Sequence, residues 1–161
     1  MASDPLVLTQ RWSANHRDGA SAPCTVLSLT AEERTRSRHR FNRDGLDVCL
    51  QLPRGTVLHH GDWHGAADGM AIVQVIASAE PVMTVSGPPL TLLRAAYHLG
   101  NRHVPVQVEE TFLRLSPDPV LREMLLAQGL SVTDSLNALQ PEPGAYGSHH
   151  VGHSDHSHYH D

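Results

Sequence analysis

The chain has no lysine. All twelve basic residues are arginine, so a Schiff-base lysine, a lysine nucleophile and a phosphate-loop lysine are excluded, and several enzyme classes with them. Cysteine is nearly absent too. Cys24 and Cys49 stand 25 residues apart with no CxxC pair, which rules out a structural thiolate zinc site and gives no disulfide framework. Aromatic residues make up 4% of the 161, so the core must be built from Val, Leu, Ile and Ala. No apolar run approaches the roughly 18 residues of a membrane span. The opening MASDPLVLTQRW lacks the basic-then-apolar order of an export signal. The expectation is a cytoplasmic protein without membrane contact. With histidine neutral the net charge is −5, which gives no electrostatic reason to bind nucleic acid.

Histidine is what the chain has in excess. There are thirteen, and six crowd the closing stretch GSHHVGHSDHSHYHD. An expression tag is usually an unbroken run. This segment is interrupted by Val, Gly, Ser, Asp and Tyr, so it reads as native.

The first half reads as β. LDVCLQL alternates, with Leu46, Val48, Leu50 and Leu52 on one face, between the turn signals RDG and PRG. CTVLSL and AIVQVI are further strands, and GTVLHHGD is expected to be a strand ending in a turn. The character changes near Ala77. VMTVS predicts a strand. GPPLTLLRAAYHLGN predicts a helix with proline at its start, an apolar stripe of Leu90, Leu93 and Tyr97, and Gly100 as its C′ stop. VPVQVEE and TFLRL predict strands. SPDPVLREMLLAQGL is the clearest helix, capped by Asp118, striped by Val120, Leu121, Met124 and Leu125, and closed by Gly129. SVTDS is a last strand. The fold class is α+β: a small β-rich N-terminal domain (1–76), then a ferredoxin-like βαββαβ domain (77–145). Residues 146–161 are expected to be a disordered histidine-rich tail.

Three constellations carry possible chemistry. RTRSRHR sets Arg34, Arg36, Arg38 and Arg40 at alternate positions, one face of a strand. No aromatic residue is interleaved for base stacking, so a solvated face or a protein contact is the preferred reading. HHGDWH groups His59, His60, Asp62 and His64, and imidazole suits Ni, Zn and Cu. Adjacent strand residues point to opposite faces, so surface histidines are expected. In AYHLGNRHVPVQ, His98 and His103 are five apart. That is about 500° of helix and about 140° out of register, so this is not the i, i+4 zinc arrangement. His103 should lie in the loop after the helix. One imidazole per chain is a poor metal site, but near a two-fold axis a residue meets its own copy and supplies two ligands.

AYHLGNRHVPVQ resembles the signature segment of the UreE family of urease accessory proteins, which act as nickel metallochaperones. LTAEERTRSRHRFNRDGLDVCLQLPRGTVLHHGD resembles that family's N-terminal domain, and PDPVLREMLLAQGL followed by PEPGAYG resembles the end of its metal-binding domain. The resemblance implies a homodimer, open to pairing into a dimer of dimers around metal, with His103 and its symmetry mate as the interface ligands. It implies a packing or hydrogen-bonding role for His98. It also implies nickel-binding histidines in the tail: His149, His150, His153, His156, His158 and His160. The family's further histidines near Phe112 to Arg114 are missing here. The implied partners are the urease accessory GTPase and, through it, the apo-urease complex. No catalytic residue set is expected.

Six neutral imidazoles on a flexible chain can wrap several ions, and without a thiol Ni(II) or Zn(II) is more natural than Cu(I), with Cu(II) also accepted. Ordering such a chain costs roughly 1–2 kcal/mol per fixed residue, so each site is of moderate affinity and gives its metal up readily. Tethering sets the tail near His103 at an effective concentration of about millimolar. Two rivals stand beside the nickel carrier. One is a general histidine-rich nickel or zinc buffer, which needs no ligand on a dimer axis. The other is a metal-dependent hydrolase built on HHGDWH, which needs a third ligand and an open coordination position.

Overall fold

Alternating apolar residues build the first half. The structure, a computed structural model, describes residues 4–12, 24–43, 45–66, 69 and 71–143. β1 (Leu6–Leu8), β4 (Arg38–Arg43) and β5 (Leu46–Gln51) form one sheet in the order β1-β5-β4. β2 (Gln10–Trp12), β3 (Cys24–Leu29), β6 (Trp63–Gly65) and β7 (Ile72–Ala77) form a second, ordered β2-β6-β7-β3. β1 runs parallel to β5 and β3 parallel to β7; the other pairs are antiparallel. Val48, Leu50 and Leu52 all point inward, as their period of two requires, and join Leu27, Leu29, Val73 and Val75 in one core. Gly45 turns β4 into β5 at a φ of 79°, which the RDG signal foretold.

Two expectations for this half fail. GTVLHHGD is not a strand. Its backbone groups are spent elsewhere: Thr56 N–H donates to the Pro53 carbonyl and Asp62 N–H to the His59 carbonyl, both at 3.1 Å. His59 N–H donates to the Asp62 carboxylate at 2.8 Å. An Asx-type turn of this kind competes directly with a ladder. Nor do the four arginines share a strand face. Arg34 lies in a 3-10 turn, Glu33–Thr35, and is 4% exposed; only Arg38 and Arg40 lie on β4. The turn is set by a reciprocal capping box. Thr30 N–H donates to Glu33 Oε2 at 2.9 Å, and Glu33 N–H donates to Thr30 Oγ1 at 3.3 Å.

The second half follows the expected element order: β8 (Ala79–Ser86), α1 (Pro89–Asn101), β9 (Gln107–Val108), β10 (Phe112–Leu115), α2 (Pro119–Ala127) and β11 (Ser131–Ala138). The sheet is antiparallel throughout, in the order β11-β8-β10-β9. Both helices pack on one face of it. Leu92, Ala95, Leu99 and Leu125 meet Met83, Val85, Leu113 and Leu115. Asp118 caps α2 as expected, accepting from Leu121 N–H at 2.8 Å, and Pro119 stands at its first position.

The stripe at helical spacing that marks α1 in the sequence faces outward. Leu90, Leu93 and Tyr97 are 59%, 68% and 68% exposed, while Leu92, Ala95 and Leu99 are buried. Both faces of this helix are apolar, so periodicity alone cannot choose between them. Val120 on α2 is likewise exposed, and VPVQVEE yields only the two-residue β9.

Specific hydrogen bonds join the two halves among the described residues. Ser78 N–H donates to the Leu29 carbonyl at 2.9 Å, Ala31 N–H to Glu80 Oε1 at 2.7 Å, and Arg34 Nη2 to the Leu139 carbonyl. No helix among the described residues is long and apolar enough to cross a membrane. The histidine-rich segment lies outside the described residues.

Candidate metal centre at the end of α1

A helix ends with carbonyls that need partners. α1 satisfies them with a left-handed turn, but not at Gly100. Gly100 lies within the helix, Arg102 caps it, and His103 takes the left-handed position at a φ of 56°. His103 N–H donates to the Gly100 carbonyl at 2.9 Å and Val104 N–H to the Leu99 carbonyl at 3.1 Å. These are the two reverse bonds that close a helix around a left-handed C′ residue.

α2 closes in the same way. Gly129 N–H donates to Leu126 at 2.9 Å and Leu130 N–H to Leu125 at 3.2 Å, with Gly129 at a φ of 80°. The second helix uses the residue that this conformation favours. The first uses histidine, the one non-glycine residue at positive φ among those described. A side chain there costs about 1 kcal/mol against the Cβ clash. The imidazole itself is exposed.

His103 lies at the foot of the exposed apolar stripe of Leu90, Leu93 and Tyr97. His98 sits one turn earlier, exposed, edge-on to Tyr97 with ring centroids 5.6 Å apart. Its carbonyl accepts from Arg102 Nη1 at 3.3 Å. Among the described residues no group of three or more His, Cys, Asp or Glu side chains could hold a metal ion. A metal ion at His103 would therefore need ligands beyond the described residues of its own chain. The tail histidines His149, His150, His153, His156, His158 and His160 lie outside those residues.

HHGDWH does not form a centre. Asp62 is buried and engaged: Arg11 Nη2 donates to its Oδ1 at 2.6 Å, and His59 Nδ1 stands 3.4 Å from its Oδ2. His60 turns the other way and accepts Ala77 N–H on Nδ1 at 3.1 Å. His59 and His60 are at the surface, as expected, but His64 is fully buried. Its Nε2 is 3.9 Å from Asp62 Oδ2, and neither ring nitrogen has a hydrogen-bond partner among the described residues. A hydrolase site on this segment therefore has no support. Sequence reasoning missed the role of His64. The alternation of Trp63, His64 and Gly65 across β6 could have flagged it.

Burial pushes the His64 imidazole below its ordinary range; the Asp62 carboxylate and the Gln10 backbone pull it upward, and Arg11 adds to the downward push. A depressed histidine stabilises the fold fully above the ordinary value of about 6.5. That contribution is lost as the pH falls from there toward the folded value, because the unfolded chain then binds the proton more readily. Denaturant unfolding between about pH 7.5 and 5 should show His64→Leu with a flatter pH dependence than the native chain. An unchanged slope would remove His64 as the cause.

The helix end gives a second test. His103→Gly should leave stability unchanged or raise it by up to about 1 kcal/mol, whereas His103→Val should lower it by a similar amount. Denaturant unfolding of both variants reads the difference. A loss on His103→Gly would mean that the imidazole is held by packing.

Comparison with known proteins agrees with this architecture. The family profile of the UreE urease accessory protein N-terminal domain matches residues 8–77, and that of the C-terminal domain matches residues 80–161. The urease accessory protein UreE of Nostoc punctiforme is 54% identical over 138 residues, covering 84% of this chain and 93% of that protein. UreE of Microcystis aeruginosa is 45% identical over 150 residues, covering 90% and 94%. UreE of Thermosynechococcus vestitus is 49% identical over 125 residues, covering 76% and 87%. The two family profiles together cover nearly the whole chain, with relatives 45–54% identical beside them, and the chain belongs to the UreE family of urease accessory proteins.

Proposed function

We propose that this chain is a nickel metallochaperone that delivers Ni(II) to the urease assembly complex. It acts without catalysis of its own, in the cytoplasm. One Ni(II) is bound between the His103 imidazoles of a homodimer. His149, His150, His153, His156, His158 and His160 collect further ions and close over the shared one. Zn(II) and Cu(II) would also enter such imidazole sites. The urease accessory GTPase and apo-urease complex take the metal by competing the ligands away, and Arg36 and Arg38 on the first half offer part of a docking surface. In this reading the domains are 1–76 and 77–145, followed by the tail from 146. The βαββαβ order and the β11-β8-β10-β9 sheet support a ferredoxin-like second domain.

The observation that carries the reading is the left-handed His103. A glycine would close α1 at lower cost, as Gly129 closes α2, so the imidazole has a use outside the fold. Its position supports a shared site: the exposed stripe of Leu90, Leu93 and Tyr97 runs toward it. A two-fold contact along that stripe would bury the apolar face, and an axis near the end of α1 would let each imidazole meet its copy. The last described residues also come near this helix end. Glu142 N–H donates to the Val106 carbonyl at 2.8 Å, and Val106 is three residues from His103, so their Cα atoms are within about 11 Å.

Calorimetric Ni(II) titration with light scattering tests this on the native chain, His103→Gly, Leu93→Asp and a full-length variant with all six tail histidines changed to Asn. The tail variant should lose most equivalents and keep one tight ion per dimer. His103→Gly should lose that ion, and Leu93→Asp should lose both the dimer and the ion. A silent His103→Gly, with all binding lost in the tail variant, would replace the delivery reading with that of a histidine-rich metal buffer.

A further inference from the structure

Each half of the molecule has its own core. Two such units joined by one short crossing are expected to move against each other unless something holds them. Here the crossing is Ser78, the residue between β7 and β8. The three hydrogen bonds described above between the halves all come from residues 29–34 of the first. Two of them reach Ser78 and Glu80, at the crossing itself. The third reaches Leu139, just past the end of β11. β11 lies beside β8, with Ala138 opposite Ala79, so this bond grips the neighbouring strand, about 5 Å away. A single strand can swivel about its own axis. A second attachment beside it resists that rotation.

The third bond is made by Arg34. Its backbone belongs to the first half at both groups: its N–H donates to the Thr30 carbonyl at 3.0 Å and its carbonyl accepts from Leu58 N–H at 2.9 Å. Leu58 is fully buried in the first core, and the Thr30–Glu33 capping box fixes the same turn. Only the side chain crosses, and the Leu139 carbonyl accepts from its Nη2. Arg34 Nε has no hydrogen-bond partner among the described residues. Burial pushes this guanidinium below its ordinary range, and the Glu80 carboxylate of the second half opposes the push. A buried guanidinium with an unmet donor is costly, and a plain packing role would be served by an apolar side chain. What the guanidinium adds is its hold on a carbonyl of the other half.

The joint lies at the same end of the second half as His103. β8 leads away from it, its 8 residues spanning about 26 Å. α1 then returns over the sheet, its 13 residues rising about 20 Å. Glu142, three residues past Leu139, donates its N–H to the carbonyl of Val106, three residues past His103, at 2.8 Å. On the other side of the joint, the Arg34 turn is followed by exposed Arg36 and leads into exposed Arg38 on β4. We infer that Arg34 is a positioning residue: by holding the Leu139 carbonyl it locks the two halves in one orientation, so that Arg36, Arg38 and the His103 imidazole meet one partner protein at a fixed spacing. The functional consequence rests on the metal-carrier reading above. The lock rests on the hydrogen bonds alone. A receiver docked through acidic groups on Arg36 and Arg38 then finds the imidazole already in place, and no search between two loose halves slows the transfer.

Two measurements on the full chain test this. In the first, residual dipolar couplings of the backbone amides are measured in the native chain, Arg34→Met and Arg34→Lys. Arg34→Met keeps an unbranched chain and loses every donor. Arg34→Lys keeps the charge and loses the planar fork. Amides of both halves of the native chain should fit one alignment tensor. In Arg34→Met the first half should need its own tensor, with a magnitude about half that of the second, and Arg34→Lys should fall between. The amide shifts of Leu27 and Val75 in one core, and of Leu99 and Leu113 in the other, should stay native. Two tensors in the native chain overturn the inference, and so does a common tensor in Arg34→Met. Should that variant not fold, a common tensor in Arg34→Lys overturns it. Separate tensors together with shifts in both cores also overturn it, because the defect is then general.

In the second, the Ni(II)-loaded native chain and Ni(II)-loaded Arg34→Met are mixed with the accessory GTPase and the apo-urease complex, and nickel transfer is followed. Nickel affinity should be the same in both proteins, while transfer should slow about fivefold in Arg34→Met. Equal transfer rates overturn the functional part of the inference. An equal fall in affinity and in transfer does so too, by placing the effect at the metal site itself. If His103→Gly leaves nickel binding intact, the metal-carrier reading falls by itself, and the dipolar couplings still decide whether Arg34 locks the halves.

Discussion

The second half depends on how α1 stops. A helix packed on a sheet by Leu92, Ala95 and Leu99 must satisfy its last carbonyls and turn back toward the sheet within a few residues. The reverse bonds from His103 and Val104 do both. They also deliver Val104 and Val106 to the core side, the first half-buried and the second buried, where they pack with Leu99 and Leu113. From this closure follow the direction of β9, the exposure of the imidazole, and the place of the Val106 carbonyl, which accepts from Glu142 N–H. A different stop, one turn earlier at Gly100, would shift all three. Gly100 stays helical because the backbone bonds of the last turn run through it, its carbonyl accepting from both Arg102 and His103.

The two helices of this half act as each other's control. They share a sheet, a core and a mode of closure, and differ at C′ by glycine against histidine. Selection for stability alone would favour glycine at both. The difference of about 1 kcal/mol is small against a domain's stability of several, so the fold can tolerate it. The same helix keeps Leu90, Leu93 and Tyr97 in contact with water, a second cost borne by one element. A closed two-fold contact would relieve the second and give the first a use.

Much of the architecture was legible in sequence because it rests on local physics. The period of two in LDVCLQL, the Asp118 cap, Pro119 and Gly129 each act within one turn or strand, and each stands where expected. What was not legible depended on a choice between local equals or on distant partners. α1 is apolar on two faces, and only the sheet decides which is covered. Gly100 and His103 both could close the helix, and glycine's preference pointed to the wrong one. GTVLHHGD has strand composition, but Asp62 captures the His59 amide and makes a turn. Arg34 looked like one of four solvated arginines; its burial depends on Leu139, 105 positions away. His103 was singled out from its segment's resemblance, whereas its left-handed backbone, the physical feature that sets it apart, appears only in three dimensions.

Transfer sets a further limit on such a site. A resident structural metal is held by a closed, complete ligand set and leaves slowly. A carrier must hold its ion against dilution and still release it on contact with a receiver. One exposed imidazole per chain cannot provide a closed set, and no neighbouring acid or histidine among the described residues completes it. In the metal-carrier reading proposed above, the remaining ligands come from a second copy or from the histidines of residues 149–160. Each contributes through effective concentration rather than through a rigid cage. On that reading the described fold supplies one part of the site, an exposed imidazole set outward by the closure of α1. The same helix bears an exposed apolar stripe through which a second copy could bring its own imidazole to meet it.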